Sequence, residues 1–155
     1  MRKTVLAALA AMGLVGTAYA QPPQSWVYAG MRGGAMGWET TTASRDAEAG
    51  TASTLRFLYF AKPQQREESD FNWVVQNIEF DCAANTFRLM EGAFFNKARH
   101  GRSDQPALDE DLPVQSGTPE YVLKMVLCDR ATVTNAREAT NMADAMDGAM
   151  KVALP

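Results

Sequence analysis

The stretch Phe71-Asn72-Trp73-Val74-Val75-Gln76-Asn77-Ile78-Glu79-Phe80-Asp81-Cys82-Ala83-Ala84-Asn85-Thr86-Phe87-Arg88-Leu89-Met90-Glu91 decides how this chain folds. Its first twelve residues alternate. Val74, Ile78, Phe80 and Cys82 share one face, with Gln76 as the exception; Phe71, Trp73, Val75, Asn77, Glu79 and Asp81 share the other. Alternation rich in aromatic and β-branched residues predicts a strand whose inward row ends at Cys82. Ala83-Ala84-Asn85 is a turn. Thr86 to Glu91 then alternates again, with Phe87 and Leu89 opposite Arg88 and Met90, so the pair predicts a β-hairpin. Ala93 to Asn96 extends the second strand past Gly92, where a bulge is expected.

Upstream, Leu55, Phe57, Tyr59 and Ala61 alternate with Arg56, Leu58, Phe60 and Lys62. Apolar residues on both faces mark a central strand over 54–62, covered on both sides and stopped by Pro63. Gln64 to Asp70 reads as a charged connection. Trp26 to Ala29 is a first strand, Arg32-Gly33-Gly34 a turn, and 35–44 a second strand whose three threonines suit it. Gly30 to Gly37 is glycine-rich but lacks the Gly-x-x-x-x-Gly-Lys-Ser/Thr pattern of a phosphate loop. Arg45 to Gly50 reads as a loop.

Downstream, Lys97 to Arg102 is a basic loop, and Ser103 to Gly117 is loop-like with the acidic run Asp109-Glu110-Asp111. Thr118-Pro119-Glu120 then supplies a cap, a first-turn proline and a first-turn acid. A short helix over 121–129 follows, although its apolar run also suits a strand. Residues 135–150 have helical composition, with Met142, Met146 and Met150 repeating at helical spacing; Gly148 weakens the end. The expectation is an α+β fold: an antiparallel meander of about five or six strands, a helix packed across it, and a looser C-terminal helix.

At the other end, Arg2 and Lys3 precede an apolar run over 5–15 and the small-x-small site Ala18-Tyr19-Ala20. These are the parts of a secretory signal peptide over residues 1–20. The run is too short for a stable membrane-spanning helix, and no Cys follows it as a lipid acceptor. The expected division is signal 1–20, an α+β domain over 21–131 and a helical tail over 132–155. The mature chain then has 13 basic against 18 acidic side chains, a formal charge of −5. That balance argues against nucleic acid as a partner. One histidine and two cysteines exclude histidine-rich and four-cysteine zinc sites, and no cofactor motif is present.

Export places Cys82 and Cys128 in an oxidising compartment, where an even count makes a disulfide the default. A bridge would close a loop of about 47 residues and, by chain entropy, contribute about 4 kcal/mol at most. Free thiols used in redox chemistry are the competing reading, which the wide separation disfavours.

Glu79-Phe80-Asp81-Cys82, Asn85-Thr86-Phe87-Arg88-Leu89, and Pro119 through Val126 to Cys128, with Trp26 before them, resemble the surface-adhesin protein E family of small exported bacterial domains. The resemblance spans roughly residues 25–129. It implies a small antiparallel sheet with a helix packed on it, pinned by a Cys82–Cys128 bond. It also implies binding rather than catalysis, since the founding member is an outer-membrane lipoprotein that binds host matrix and serum proteins. This chain differs from it in lacking a lipid-acceptor Cys and in the longer tail after Cys128.

Candidate chemistry is sparse. His100 lies between Arg99 and Gly101 in a polar loop with no paired nucleophile, which suits a solvated side chain better than a base. Lys97, Arg99, His100 and Arg102 are the densest basic cluster. An ordinary charged loop is the simpler reading, yet the cluster is the best candidate for an anionic surface or protein partner. Asp109, Glu110 and Asp111 lack the ligand spacing of a calcium loop. The methionine stripe reads as the buried face of a helix before it reads as a soft binding surface. The leading expectation is a non-enzymatic, exported binding protein of the periplasm or outer surface of a Gram-negative cell, with homodimerisation through a sheet edge as an option. The alternative is a periplasmic carrier of a small apolar ligand held between sheet and helix.

Overall fold

The hairpin read from 71–91 is the spine of a single antiparallel sheet. A computed structural model describes residues 25–66 and 69–154; the signal segment lies outside these. The strands are β1 (Trp26–Met31), β2 (Gly34–Glu39), β3 (Ser44–Asp46), β4 (Thr51–Arg66), β5 (Ser69–Asp81), β6 (Thr86–Phe95), β7 (Ser103–Gln105), β8 (Leu112–Pro113) and β9 (Arg137–Ala139). Helix α1 (Pro119–Leu127) precedes β9, and α2 (Met142–Val152) follows it. The sheet order is β7-β6-β5-β4-β2-β1-β9, with β3 added to β4 and β8 to β6.

The α+β class holds, but the five or six strands expected become nine among the described residues. Local chemistry explains the differences. Pro63 does not stop β4. The register runs from Tyr59↔Trp73 to Gln64↔Phe71, so residues 60–63 lie opposite Asn72 alone. A bulge needs no ladder bond from every residue, and proline, lacking an N–H, fits there. The Asn72 amide closes the gap by donating to the Phe60 carbonyl at 2.9 Å. The three threonines do not extend β2. Thr40 donates its hydroxyl to the Ser25 carbonyl, the Thr41 hydroxyl accepts from the Ser25 N–H, and Thr42 donates to the Glu39 carboxylate. Such side-chain bonds compete with a ladder. The expected loops over 45–50 and 103–117 carry β3, β7 and β8, of two or three residues each.

Alternation sends the apolar residues of β2, β4 and β5 to two opposite faces. Met36, Trp38, Leu58, Val74, Ile78 and Phe80 meet Leu123 and Cys128 on the α1 face. Trp26, Tyr28, Ala35, Phe57, Tyr59 and Trp73 meet Ala145, Met146 and Ala149 on the α2 face. The central strand is therefore covered on both sides, as its sequence requires.

Helix α1 begins as predicted: the Thr118 hydroxyl accepts from the Tyr121 N–H at 3.2 Å, and Pro119 opens the first turn. Cys128 caps its end and is bonded to Cys82. Residues 132–155, read from the sequence as a helical tail, supply a strand as well as a helix. β9 pairs with the first half of β1, and Leu154 bridges to Arg32 beyond its other end. Both outer strands, β7 and β9, are three residues long, which leaves a second copy little edge to pair with.

Candidate functional site

Helix α2 packs chiefly on β1, β2 and β4 and leaves Val75 of β5 and Ala93 and Phe95 of β6, on the same face, bordering an open cleft. The cleft arises from a change in strand parity. On β6, Phe87 and Leu89 pair with Phe80 and Ile78 on the α1 face. The register then slips: Gln76 meets Gly92 and Ile78 meets Leu89, so Met90 and Glu91 both lie opposite Asn77. One extra residue reverses every side chain that follows. Ala93 and Phe95, odd-numbered like Phe87 and Leu89, turn to the α2 face instead. The bulge expected at Gly92 thus sits immediately before it. Gly92 is required there, because a Cβ would fall 2.7 Å from the Val75 carbonyl oxygen.

The cleft has a volume of about 850 Å³. Leu55, Val75, Ala93 and Phe95 form its floor, and Met142, Ala143 and Met146 of α2 form one wall. Glu91, Asp104, Arg99 and Arg102 stand at its margin with Gln105 and Pro106. The wall is well positioned. Asn141 caps α2 by accepting from the Asp144 N–H at 2.9 Å, and Ala145, Met146 and Ala149 are buried on the sheet. Gly148, a weak helix former, lies against the Tyr28 ring at a distance that leaves no space for a Cβ.

The basic loop is tied down rather than free. The Asn96 side chain accepts from the His100 N–H at 2.9 Å, and its carbonyl accepts from the Arg99 N–H at 2.9 Å. Arg99 adopts a left-handed backbone, φ 64°, and Gly101 a similar one, φ 69°. The Trp73 indole N–H donates to the Lys97 carbonyl at 3.4 Å, which fastens the loop to β5. Arg99 then reaches α2, with Nη2 2.9 Å from Asp147 Oδ1, and Arg102 Nε lies 2.6 Å from Asp104 Oδ1.

The structure thus divides the cluster singled out in the sequence. Arg99 and Arg102 line the cleft; Lys97 and His100 are exposed beside it. Of the methionine stripe, Met146 is buried and Met142 half-buried, and both face the cleft as well as the core. Asp111 pairs with Arg88 at 2.9 Å, away from Asp109 and Glu110 in role. Leu55, Val75, Phe95 and Glu91 were not singled out from sequence. Their apolar alternation signals burial, and nothing local says that no helix covers them.

Cys82 and Cys128 are joined by a disulfide, with Cα atoms 5.6 Å apart. The family model of surface-adhesin protein E matches residues 26–129, a span that contains the hairpin, α1 and both cysteines. The chain belongs to the surface-adhesin protein E family. No curated protein and no solved structure matches it. The family segment runs from β1 through α1 and ends beside Cys128. β9, α2 and Asp147 follow it, so this adhesin E domain carries a cleft wall from outside the matched segment. No helix among its described residues is long and apolar enough to cross a membrane.

Proposed function

We propose that the mature chain is an exported, non-enzymatic binding protein of the Gram-negative envelope. It engages its partner through the surface that joins the Lys97–Arg102 loop to the cleft beside α2. The observation that carries this reading is that one loop supplies Arg99 and Arg102 to an apolar cleft in a chain of the adhesin E family. The lining joins an apolar floor to two arginines at its margin, an arrangement suited to recognition.

A photo-reactive residue at Lys97 in living cells tests this, with Glu48 in the β3–β4 turn as the control. Cross-links to the same partner from position 97, absent from position 48 and lost in R99E/R102E, are expected. Cross-links from position 48 alone, or ones indifferent to the charge reversal, remove the loop from the function. Protease treatment of intact cells separates an outer-surface location, where the protein is digested, from a periplasmic one, where it survives.

The cleft also favours a second reading, a carrier of a small apolar ligand. Its volume lies within the roughly 300–1,000 Å³ typical of small-molecule sites. Native mass spectrometry of the exported protein, purified without detergent, is expected to show an apolar adduct that denaturation releases. An adduct-free spectrum from such preparations counts against the carrier.

A further inference from the structure

We propose that the cleft takes a single-chain amphiphile with an anionic head group. The apolar chain lies on the floor against Val75 and Phe95, and the head meets Arg99 and Arg102. This inference rests on the carrier reading and names its ligand class.

The shape of the cleft separates apolar from charged chemistry. The floor residues come from β4, β5 and β6 and are joined by Met146 from α2. Methionine adapts to an irregular chain more readily than branched residues do. The charged residues all belong to the margin. A ligand that fits both parts has one apolar end and one polar end.

The sign of the polar end follows from donor geometry rather than net charge. Arg99 and Arg102 stand at the margin, and so do Glu91 and Asp104, with Asp147 beside them on Arg99. Two cations against three carboxylates give no net positive field at long range. At short range they differ. Asp104 and Asp147 already accept from the two arginines, through Arg102 Nε and Arg99 Nη2. A guanidinium carries five N–H donors, so each keeps donors for a further oxygen anion. Asn96 holds Arg99 in place through the loop backbone, so little ordering is needed when a head group arrives.

Titration calorimetry with the mature protein tests this, using probes of one chain length below their micelle concentrations. Dodecanoate and dodecyl phosphate carry the anion, dodecanol the neutral head, and dodecyltrimethylammonium the cation. At least one anion is expected to bind about tenfold tighter than the alcohol, the scale of one charge-assisted hydrogen bond. The cation is expected to bind weakest. The double variant Arg99→Asn, Arg102→Gln should abolish that preference, so that neither anion binds tighter than dodecanol. Asparagine tolerates the left-handed backbone at 99, so the loop keeps its shape. Ala143→Trp, on the exposed side of α2, should block all four probes.

Equal binding of anion and alcohol overturns the head-group assignment and leaves the carrier reading standing. So does a persistent anion preference in the double variant. Tightest binding by the ammonium assigns the margin to Glu91 and Asp104 and also overturns it. Failure of every probe to bind, or binding indifferent to Ala143→Trp, removes the carrier reading together with the proposal.

Discussion

The two faces of the sheet are held by different means. The α1 face is pinned: a disulfide joins Cys82 to Cys128, and Arg56, 3% exposed on β4, pairs with Glu120 in the first turn of α1. The α2 face is packed. Trp26 stacks on Phe57, Phe57 meets Trp73 edge-on, and Trp73 lies 4.5 Å from Tyr59 between ring centroids, with small helix residues laid over them. Glycines bring α2 close, since a Cβ on Gly30 would fall 2.1 Å from the Val152 carbonyl oxygen. A covalent tie acts mainly on the unfolded chain. Packing acts on the folded one, and it leaves an edge that can stay open. The pinned face coincides with the family segment, while the packed face depends on residues after it and holds the cleft.

Removing the pin should have the largest effect. Cys82→Ser with Cys128→Ser is expected to lower stability by about 4 kcal/mol, read from urea melts of oxidised mature protein and variant. A change below about 1 kcal/mol would mean that packing alone holds both faces, and the contrast would vanish.

Arg56→Ala comes next. Removing one partner of a buried ion pair typically costs about 3–5 kcal/mol. Glu120 is 16% exposed and regains some water, so about 2–3 kcal/mol is expected here. The Arg56→Ala, Glu120→Ala double variant should recover part of the loss. Additive losses would show that Arg56 acts through packing of its stem and not through the pair.

Gly30→Ala probes the other face. Its Cβ meets backbone, which cannot rotate aside, so a loss of about 1–3 kcal/mol is expected from overpacking. Hydrogen exchange should accelerate in α2 and stay unchanged in α1. Equal acceleration in both helices would mean that the faces unfold as one unit.

The caps give the smallest effect and the sharpest comparison. Thr118→Ala and Asn141→Ala each remove a side-chain acceptor from a helix N-terminus, worth about 1 kcal/mol. In α1 the disulfide should confine the effect to the first turn. In α2 the same loss should fray the helix and loosen the cleft wall, visible as lower amphiphile affinity in Asn141→Ala alone.

Much of the pinned face was legible in the sequence. Period two from Phe71 to Asp81 read as a strand, Thr118-Pro119-Glu120 as a helix start, and the two cysteines as a bridge, because each signal is local or has one available partner. The packed face was less legible. Pro63 looked like a terminator because a proline shows its missing N–H but not whether a partner needs it. Thr40 and Thr41 looked like strand residues because their hydroxyl partner, Ser25, lies 15 and 16 positions away. Of the candidate site, Arg99 and Arg102 were visible as charge, while the cleft they border was not.

By itself, the sequence determined the periodic elements, the cap of α1 and the pairing of Cys82 with Cys128. These depend on backbone geometry, neighbours a few residues apart and a count of two. Only the tertiary structure decided that β4 continues through Pro63, and that the Met90–Glu91 bulge turns Ala93 and Phe95 to the other face. It alone decided that α2 stops short of β6. Each of these is a matter of register between distant segments, where one residue of slip changes which side chains meet and no local pattern records the choice.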